Sequence, residues 1–300
     1  STYPYPDFKP ERTKSYEVGI NARFLNGRIS FDGTFYQSNT YNQTFLSVMS
    51  PATGYSGFYV QAGNVRNRGV EMTLGYNDTF GKVNYSTHLT YTANQNKIVE
   101  MVHDYRNPID NSLVNITELT LKEAGDVYLR EGYSMSDVFT TGILQRGRDG
   151  KLVEEGNGYQ VDRSQRIRLG SADPDFTMGW RHDINYKNIS LGLMITGRFG
   201  GIVTSQTQAF MDAFGVSKVS AEARDNGGVM LDGHRYDAER YYNTVGGQGL
   251  MSYYTYDATN VRLQEVSLGY TFPRKMLHNI CDIKISMIGR NLWMIYNKAP

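Results

Sequence analysis

Apolar and polar residues alternate through the segment SYEVGINARFLNGRISFDGTFYQ near the start of the chain. A period of two predicts β-strands, because successive side chains of a strand point to opposite faces. The pair Asn26-Gly27 separates two such runs, and both residues accept the positive φ that a type I′ hairpin turn requires. This turn pairs Phe24 with Ile29, so that the apolar residues of both strands share one face. The segment therefore predicts an antiparallel hairpin with one apolar and one polar face.

Three further hairpins repeat the pattern and bring the prediction to eight antiparallel strands of about ten residues each. Their strands occupy positions 70–76 and 83–91, 176–186 and 189–199, and 261–272 and 282–295. In the last pair the alternation changes phase near Gln264, which predicts a β-bulge or a strand end. His182 is discordant, because the alternation places it on the apolar face. We expect either that its ring pairs with a neighbour or that the register slips there.

The connections inside each predicted hairpin are short, whereas those between hairpins are long and cover positions 39–63, 97–174 and 201–255. Alternate connections of an antiparallel meander lie at opposite ends of the sheet. We therefore expect tight turns at one end and long loops at the other. One long loop has helical periodicity that places Ala209, Phe210, Ala213, Phe214 and Val216 near one face. Another predicts an extra hairpin around Asp149-Gly150, standing on the sheet rather than within it.

Three features distinguish a membrane barrel from a soluble β-sandwich, which would also show alternation. Strands of about 10 residues match the roughly 9–11 residues that a tilted strand needs to cross a bilayer, whereas strands of soluble proteins average about 5–6. Short turns at one end and long loops at the other are typical of outer-membrane barrels. Aromatic residues near the strand ends fit interfacial girdles, namely Tyr16, Phe24, Tyr76, Tyr91 and Tyr186. The pattern thus predicts an apolar face toward lipid and a polar face toward a lumen.

Composition at first indicates a soluble protein, with 300 residues, a net charge of +1 and a mean hydropathy of -0.48. The predicted barrel accounts for this value, because half of each strand and all of each loop contact water. No apolar run approaches the roughly 18 residues of a membrane-spanning helix. The scattered basic residues do not indicate nucleic-acid binding. The single Cys281 excludes an internal disulfide and a Cys-rich metal site.

Catalytic and cofactor motifs are weak or absent. The segment GYSGF at positions 54–58 lacks the final glycine of G-x-S-x-G and has no strand-to-helix context, so we expect no enzyme. The five histidines show no zinc-ligand spacing, and SADPDF does not match a calcium loop. We therefore expect neither a metal nor a cofactor.

Five segments carry a resemblance to a known family. They cover most of the chain in the expected order, and they read KPERTKSYEVGINARFLNGRISFDGTFYQSNTYNQ, AGNVRNRGVEMTLGY, LGSADPDFTMGWRHDINYKNISLGLMITGRFGG, YDATNVRLQEVSLGYTFPRK and IGRNLWMIYNKAP. Together they resemble the C-terminal part of the barrel of SusC/RagA-type TonB-dependent outer-membrane transporters. The resemblance implies an all-β, plugged barrel of about 22 strands with long extracellular loops. Residues 1–300 would then supply about eight of those strands, without the plug and the final strand.

The same resemblance implies function, location and partners. Such transporters lie in the outer membrane of Gram-negative bacteria and import glycans or peptides with energy delivered through TonB, which contacts a segment outside this chain. A SusD-like surface lipoprotein closes over the extracellular mouth. A siderophore-type receptor is an alternative, for which no lid-docking insertions are expected. A soluble carbohydrate-binding β-domain is another, and it would not require detergent.

Candidate site residues fall on the wall and in the loops. The wall residues predicted to face the lumen are Glu17, Asn21, Arg23, Asp32, Glu71, His88, Arg181, Asp183 and Arg198. Their side chains either pair across strands, with Glu71 opposite His88 and Asn21 opposite Asp32, or contact substrate directly. Aromatic side chains in one loop could stack on sugar rings, grip a peptide or pack on the loop itself; these are Tyr55, Phe58 and Tyr59. Phe210 and Phe214 could meet the lid lipoprotein or cover a small core of their own loop.

Overall fold

The structure, a computed structural model, describes residues 2–3, 8–48, 52, 54, 56–106, 111–121 and 127–300. The chain divides into two compact units, each with its own core. Unit 1 comprises Ser1–Ser136, Pro174–Gly200 and Ala258–Asn297. Unit 2 comprises Asp137–Asp173, Gly201–Asp257 and Lys298–Pro300. Two segments inserted into unit 1 therefore supply almost all of unit 2.

Eight long strands form the sheet of unit 1. They are β1 (Arg12–Phe24), β2 (Ile29–Val48), β3 (Gly57–Phe80), β4 (Val83–Glu100), β5 (Phe176–Tyr186), β6 (Ile189–Phe199), β7 (Asn260–Thr271) and β8 (Lys284–Asn297). Each pairs antiparallel with the next in chain order, which confirms the predicted all-β meander. Within the described ranges β1 and β8 do not pair with each other, so these eight strands form an open sheet.

The first hairpin has the predicted register, with Phe24 opposite Ile29. Asn26 and Gly27 both have positive φ, and the Arg28 amide donates to the Leu25 carbonyl at 3.2 Å, as a type I′ turn requires. Leu25 also has positive φ, and the Gly27 amide donates to the Phe24 carbonyl at 3.1 Å, so two overlapping turns connect the strands. The irregularity predicted near Gln264 is also present. There the pairing of β7 with β8 shifts by one residue: Leu263 lies opposite Trp293, but Glu265 lies opposite Arg290. A β-bulge therefore reverses the phase of alternation inside β7.

The predicted loop at 39–63 is wrong in extent, because most of it is strand. β2 continues to Val48, and β3 begins at Gly57, with an antiparallel ladder between them that keeps one register but skips Asn42, whose φ is 58°. This extension forms because it buries apolar side chains in a cluster on the same unit, made of Phe45, Val60, Val65, Ile98, Met101, Leu119 and Leu129. Full burial of one such side chain stabilises the folded state by about 1.5–3 kcal/mol. The tertiary core, rather than local alternation, sets the ends of β2 and β3.

Short strands surround this extension. Val102–Arg106 pairs with Leu113–Ile116, Glu118–Leu121 pairs with Val127–Arg130, and Thr2–Tyr3 lies parallel to the start of β3. A polar contact ties two of these segments together. His103 Nε2 lies 2.6 Å from Glu131 Oε2, and the same oxygen accepts the Met101 amide at 3.0 Å. The hydrogen bond that the protonated His103 ring donates to the Glu131 carboxylate raises the pKa of His103 above its ordinary value.

Unit 2 is a small mixed domain. Its strand pairs are Asp137–Leu144 with Val161–Ser171, Glu154–Glu155 with Gly158–Tyr159, Ile202–Thr204 with Thr255–Asp257, and Val229–Leu231 with His234–Tyr236. Its helices are α1 (Gln206–Ala213), α2 (Lys218–Asp225) and α3 (Ala238–Val245), followed by a 3₁₀ turn at Met251–Tyr253. A second 3₁₀ turn, Arg274–Leu277, belongs to unit 1, where it joins β7 to β8. The three α-helices begin at side-chain N-caps, provided by Ser205, Ser217 and Asp237.

The core of unit 2 is rich in tyrosine. It joins Leu144, Leu152 and Tyr159 of the first inserted segment to residues of the second, including Tyr241, Tyr242, Leu250 and Tyr254. The hairpin predicted around Asp149-Gly150 is reduced to a single bridge between Arg146 and Leu152, closed by a turn in which the Gly150 amide donates to the Gly147 carbonyl. Among the described residues, no helix combines the length and the apolar character needed to cross a bilayer.

The His103–Glu131 contact predicts pH-dependent protection of the segment around it. Because the pKa of His103 is raised on folding, its stabilising effect is complete below about pH 6.5, the ordinary histidine value, and is lost as pH rises through the raised pKa. Hydrogen-exchange protection factors of residues 127–131, corrected for intrinsic rates, should therefore fall between mildly acidic and alkaline pH. His103→Gln should abolish this change, and His278→Gln, in an exposed turn, should retain it. Equal protection at both pH values would contradict the assignment.

Candidate functional site

All nine wall residues predicted from the sequence lie on one face of the sheet of unit 1, called the polar face below. The strand registers connect them, since Asn21 lies opposite Asp32, and Arg181 lies opposite His88. Asn21 Nδ2 donates to Asp32 Oδ2 at 2.8 Å, as the predicted pairing requires. The polar side chains thus form a continuous surface across six strands.

The predicted pairing of Glu71 with His88 is wrong. Glu71 lies opposite Thr92, and His88 lies opposite Gly75, so the two are four residues apart in register. The cause is the turn between β3 and β4. Gly81 adopts a φ of 63°, which allows a two-residue turn and extends the ladder to the pair Phe80–Val83. A longer turn would have moved Glu71 toward His88.

A network of four charged side chains crosses the polar face from β5 to β8. Arg181 donates from Nε and Nη2 to the two carboxylate oxygens of Asp183, both at 2.9 Å. Arg181 Nη1 also lies 3.4 Å from Glu265 Oε1, and Arg290 Nε donates to Glu265 Oε2 at 3.0 Å. A bidentate Arg–carboxylate contact fixes orientation better than a single ion pair does. Alternating positive and negative charges thus line this part of the wall.

Sequence reasoning missed Glu265 and Arg290, although a signal was present. The bulge at Gln264 shifts the phase of β7, and this shift turns Glu265 toward the same face as Arg181. Gly192 of β6 lies beneath the network. A Cβ atom there would be 3.3 Å from both Arg181 Nη2 and Asp183 Oδ1, and would also collide with the Ser267 hydroxyl. The lack of a side chain at Gly192 therefore lets Arg181 reach across the strand.

The opposite face, called the apolar face below, is exposed in unit 1. Val18 and Ile20 are 68% and 63% exposed, and large apolar side chains on the other strands are similarly open, including Leu74, Trp180, Leu191, Leu268 and Met287. A contiguous apolar surface of this kind marks contact with lipid or with another protein. Stacked rings lie at the long-loop end of this face, with Tyr91 and Phe199 on either side of Phe176 at centroid distances of 5.3 and 4.7 Å.

His182 pairs with neighbours, and the register around it does not slip. Its Nδ1 lies 2.8 Å from the Tyr85 hydroxyl, and its ring lies 4.4 Å from that of Trp180. The Trp180 indole nitrogen in turn donates to the Thr87 hydroxyl at 3.1 Å. His182 Nδ1 and Trp180 Nε1 are thus both hydrogen-bonded to hydroxyl groups of the neighbouring strand β4, which accounts for a histidine on the apolar face.

The aromatic residues predicted as a capture loop are not brought together as a site. Tyr55 lies outside the described residues. Phe58 is partly buried against the apolar cluster of the extension, whereas Tyr59 is on the other side of β3 and contacts the Phe8 ring edge-on at 5.7 Å. Consecutive strand residues point to opposite faces, so Phe58 and Tyr59 cannot form one surface.

Phe210 and Phe214 do not cover the core of their own unit. The predicted helix is present as α1, but it buries Ala209 and Asp212 and leaves Phe210 and Phe214 49% and 80% exposed. The helix ends at Ala213, and Gly215 has positive φ, so the chain turns before the predicted apolar stripe can face inward. Val216 and Val219 are exposed as well, and these four apolar residues are called the α1 patch below.

Unit 2 also contains a cavity of about 350 Å³ next to α1 and α3, with Asp212 and several tyrosines in its lining. Burial raises the pKa values of Tyr241 and Tyr254, and the nearby Asp212 carboxylate raises them further. In the ranges that the structure describes, no group of three or more His, Cys, Asp and Glu side chains is arranged to hold a metal ion.

Known proteins resemble the chain in sequence and fold. The family model described as "TonB dependent receptor-like, beta-barrel" matches residues 1–196. TonB-dependent receptors P3 and P26 of Formosa agariphila are each 24% identical, over 95% and 96% of this chain and 30% of their own length. The solved RagAB peptide transporter has a TM-score of 0.66 at 15% identity, over 95% of this chain and 32% of that one. The RagAB peptide importer in its "open-open" state gives 0.66 at 17%, over 98% and 32%. The chain spans about a third of these relatives.

The charge network predicts that Gly192 is required for the position of Arg181. Gly192→Val should displace the Arg181–Asp183 pair and overpack the wall, lowering unfolding stability by about 1–3 kcal/mol. Ser190→Val, two residues away on the same face, serves as the matched control and should have little effect. The denaturation midpoint of the detergent-solubilised full-length protein measures the difference. Equal midpoints for the two variants would contradict this role of Gly192.

Proposed function

The chain belongs to the TonB dependent receptor-like β-barrel family, and we propose that it supplies part of the wall and mouth of an outer-membrane transporter. The observation that carries the proposal is the sheet of unit 1, with a continuous exposed apolar face opposite a charged one. In lipid, backbone groups must be hydrogen-bonded within the protein, and a closed barrel of strands satisfies them. The apolar face then contacts lipid, and the polar face with its nine wall residues lines the lumen.

The spacing of aromatic residues supports this orientation. On β5, Phe176 lies in the stacked cluster at one end, and Tyr186 lies at the tight turn. Their separation is about 33 Å along the strand at ~3.3 Å per residue, or about 25 Å along the membrane normal at a tilt of about 40°. This equals the roughly 25 Å apolar band of outer-membrane barrels. In this orientation the tight turns face the periplasm, and the strand ends that lead into unit 2 face the exterior.

A lid lipoprotein of SusD type is the partner that we infer for the exterior side. Its support is the α1 patch, because four large apolar side chains are exposed on one small unit. Clustered exposed apolar side chains on a protein surface commonly mark a site of protein–protein contact. This insertion also favours a lid-dependent importer over a siderophore-type receptor, for which we expect no lid-docking insertion. A soluble carbohydrate-binding domain is disfavoured by the exposed apolar face of the sheet.

The cargo that we propose is a glycan or a peptide too large for a diffusion pore. The RagAB structures are described as a peptide transporter and importer, which supports the peptide class. Energy would come through TonB, acting on a segment outside this chain. The charged side chains of the polar face either order the wall, as the contacts of Arg181 do, or contact this cargo.

The orientation of the sheet predicts opposite effects for neighbouring residues of β6. Leu193 is on the apolar face, so Leu193→Arg should destabilise the barrel by about 2–4 kcal/mol near the membrane midplane. Met194 is on the polar face, between Arg181 and Glu265, so Met194→Arg should be tolerated. Heat-modifiable migration and outer-membrane abundance of the full-length protein measure both. The proposal fails if the Leu193 variant assembles as well as the Met194 variant.

The α1 patch predicts a defect in partner binding. Phe210→Ser combined with Phe214→Ser should reduce co-purification of the lid lipoprotein and uptake of cargo, while barrel assembly stays unchanged. Ile143→Ser, which replaces another exposed apolar residue of unit 2, is the control and should bind the partner normally. If both variants retained the lid and full uptake, the α1 patch would not be its docking surface.

A further inference from the structure

Positive charges cluster at the long-loop end of the apolar face of unit 1. The ladder places Lys97 of β4 opposite Arg66 of β3, and Asn39 of β2 lies between Arg66 and Lys14 of β1 in the same row. Adjacent strands are about 4.8 Å apart, so this row spans about 14 Å. The cationic side chains of this region, called the outer cationic patch below, are Arg12, Lys14, Arg66, Arg68 and Lys97.

The outer cationic patch faces away from the lumen. Val65 and Ile98, which adjoin Arg66 and Lys97 in sequence, are 2% and 1% exposed and lie in the apolar cluster of the extension. Val65 is on the polar face, because it lies six residues from Glu71 in an unbroken stretch of ladder. Consecutive strand residues alternate between faces, so the two cations point to the other side, where the sheet exposes its apolar residues.

The charges of the patch are not balanced by carboxylates. The whole chain has 31 Lys and Arg against 30 Asp and Glu, so a group of one sign does not follow from composition. Among the described residues, no member of the patch forms an ion pair, and only Arg68 donates a side-chain hydrogen bond, from Nε to Gln95 Oε1 at 2.8 Å. At the tight-turn end, by contrast, Arg28 Nη1 lies 3.6 Å from Asp78 Oδ2.

The patch begins where the apolar surface ends. On β3, Arg68 and Arg66 follow Val70 outward by two and four residues. At ~3.3 Å per residue and a tilt of about 40°, they lie about 5 and 10 Å beyond Val70 along the membrane normal. The headgroup layer on each side of a bilayer is about 5–8 Å thick. The long side chains of these residues therefore reach the level of lipid headgroups.

We propose that the outer cationic patch binds the phosphate groups of anionic lipids in the outer leaflet of the membrane. A guanidinium group matches phosphate oxygens with a fork of N–H donors, and Lys adds a compact positive charge. A row of cations directly beyond an apolar surface fits a ligand that carries both a charged headgroup and apolar chains. A soluble anion would use the charges alone. The orientation of the patch toward the outer leaflet rests on the proposed function.

The test compares lipids that have the same chains and different headgroup charge. Native mass spectrometry of the detergent-purified full-length protein measures the binding of dioleoyl phosphatidic acid and of dioleoyl phosphatidylcholine. One Lys or Arg near an anionic lipid surface contributes about fivefold in affinity, so we expect phosphatidic acid to bind at least about tenfold more tightly. Inorganic phosphate in excess, at constant ionic strength, should not displace it. Displacement would indicate a site for free anions and would overturn the proposal.

Two triple variants that remove the same charge locate the lipid site. The first changes three residues of the patch together, by Arg66→Gln, Arg68→Gln and Lys97→Gln. The second changes three exposed cations at the tight turns together, by Arg28→Gln, Lys82→Gln and Lys187→Gln. The first should lower the preference for phosphatidic acid at least about fivefold, and the second should retain it. Equal loss in both variants, or retention in the first, would overturn the proposal.

Failure of this inference can be distinguished from failure of the transport proposal. Heat-modifiable migration of the unmodified protein and of both variants verifies that each forms a folded barrel. A folded barrel that binds the two lipids equally overturns the lipid site alone, and an acidic protein surface would then be the better candidate for the patch. An unmodified full-length protein that forms no barrel contradicts the transport proposal, and the lipid site fails with it.

Discussion

The hydrogen-bond ladder of the long antiparallel strands is the constraint on which the rest of unit 1 depends. A strand that crosses lipid cannot satisfy its backbone with water, so every peptide group there needs a neighbour in register. Once the register is fixed, the period of two assigns each side chain to one of two faces. The single turn at Asn26-Gly27 thereby determines the face of every residue in β1 and β2. The charged wall and the apolar surface follow from the same ladder.

The sequence predicted this ladder well where local chemistry determines it. A turn that needs two positive φ values and a phase change at Gln264 are both visible in the residues themselves. The ends of β2 and β3 were not predictable in this way, because they depend on a cluster assembled with Ile98, Met101 and more distant residues. The error at Glu71 has a similar origin. A change in turn length shifts every pairing beyond it, so a small local error becomes a displacement of four residues.

The candidate sites show the same difference between features set by local sequence and features set by tertiary packing. Wall residues could be assigned to a face because alternation specifies the face without knowledge of neighbours. Partners across strands, such as Glu265 for Arg181, required the bulge and therefore the structure. In unit 2 the helical period gave α1, but which side of so short a helix is buried depends on packing against α3. Asp212 carried no sequence signal, because a single acidic residue in a helix is ordinarily solvated.

The interleaved chain path of the two units has a consequence for the order of folding. The core of unit 2 combines Leu144 and Tyr159 with Tyr241 and Leu250, and β5 and β6 separate these two segments in sequence. The β5–β6 hairpin holds Phe176 opposite Phe199, which shortens the effective loop between the segments and lowers the entropy cost of joining them. Formation of that hairpin should therefore precede consolidation of the tyrosine-rich core. A folded unit 2 would then report that this part of the sheet is already in place.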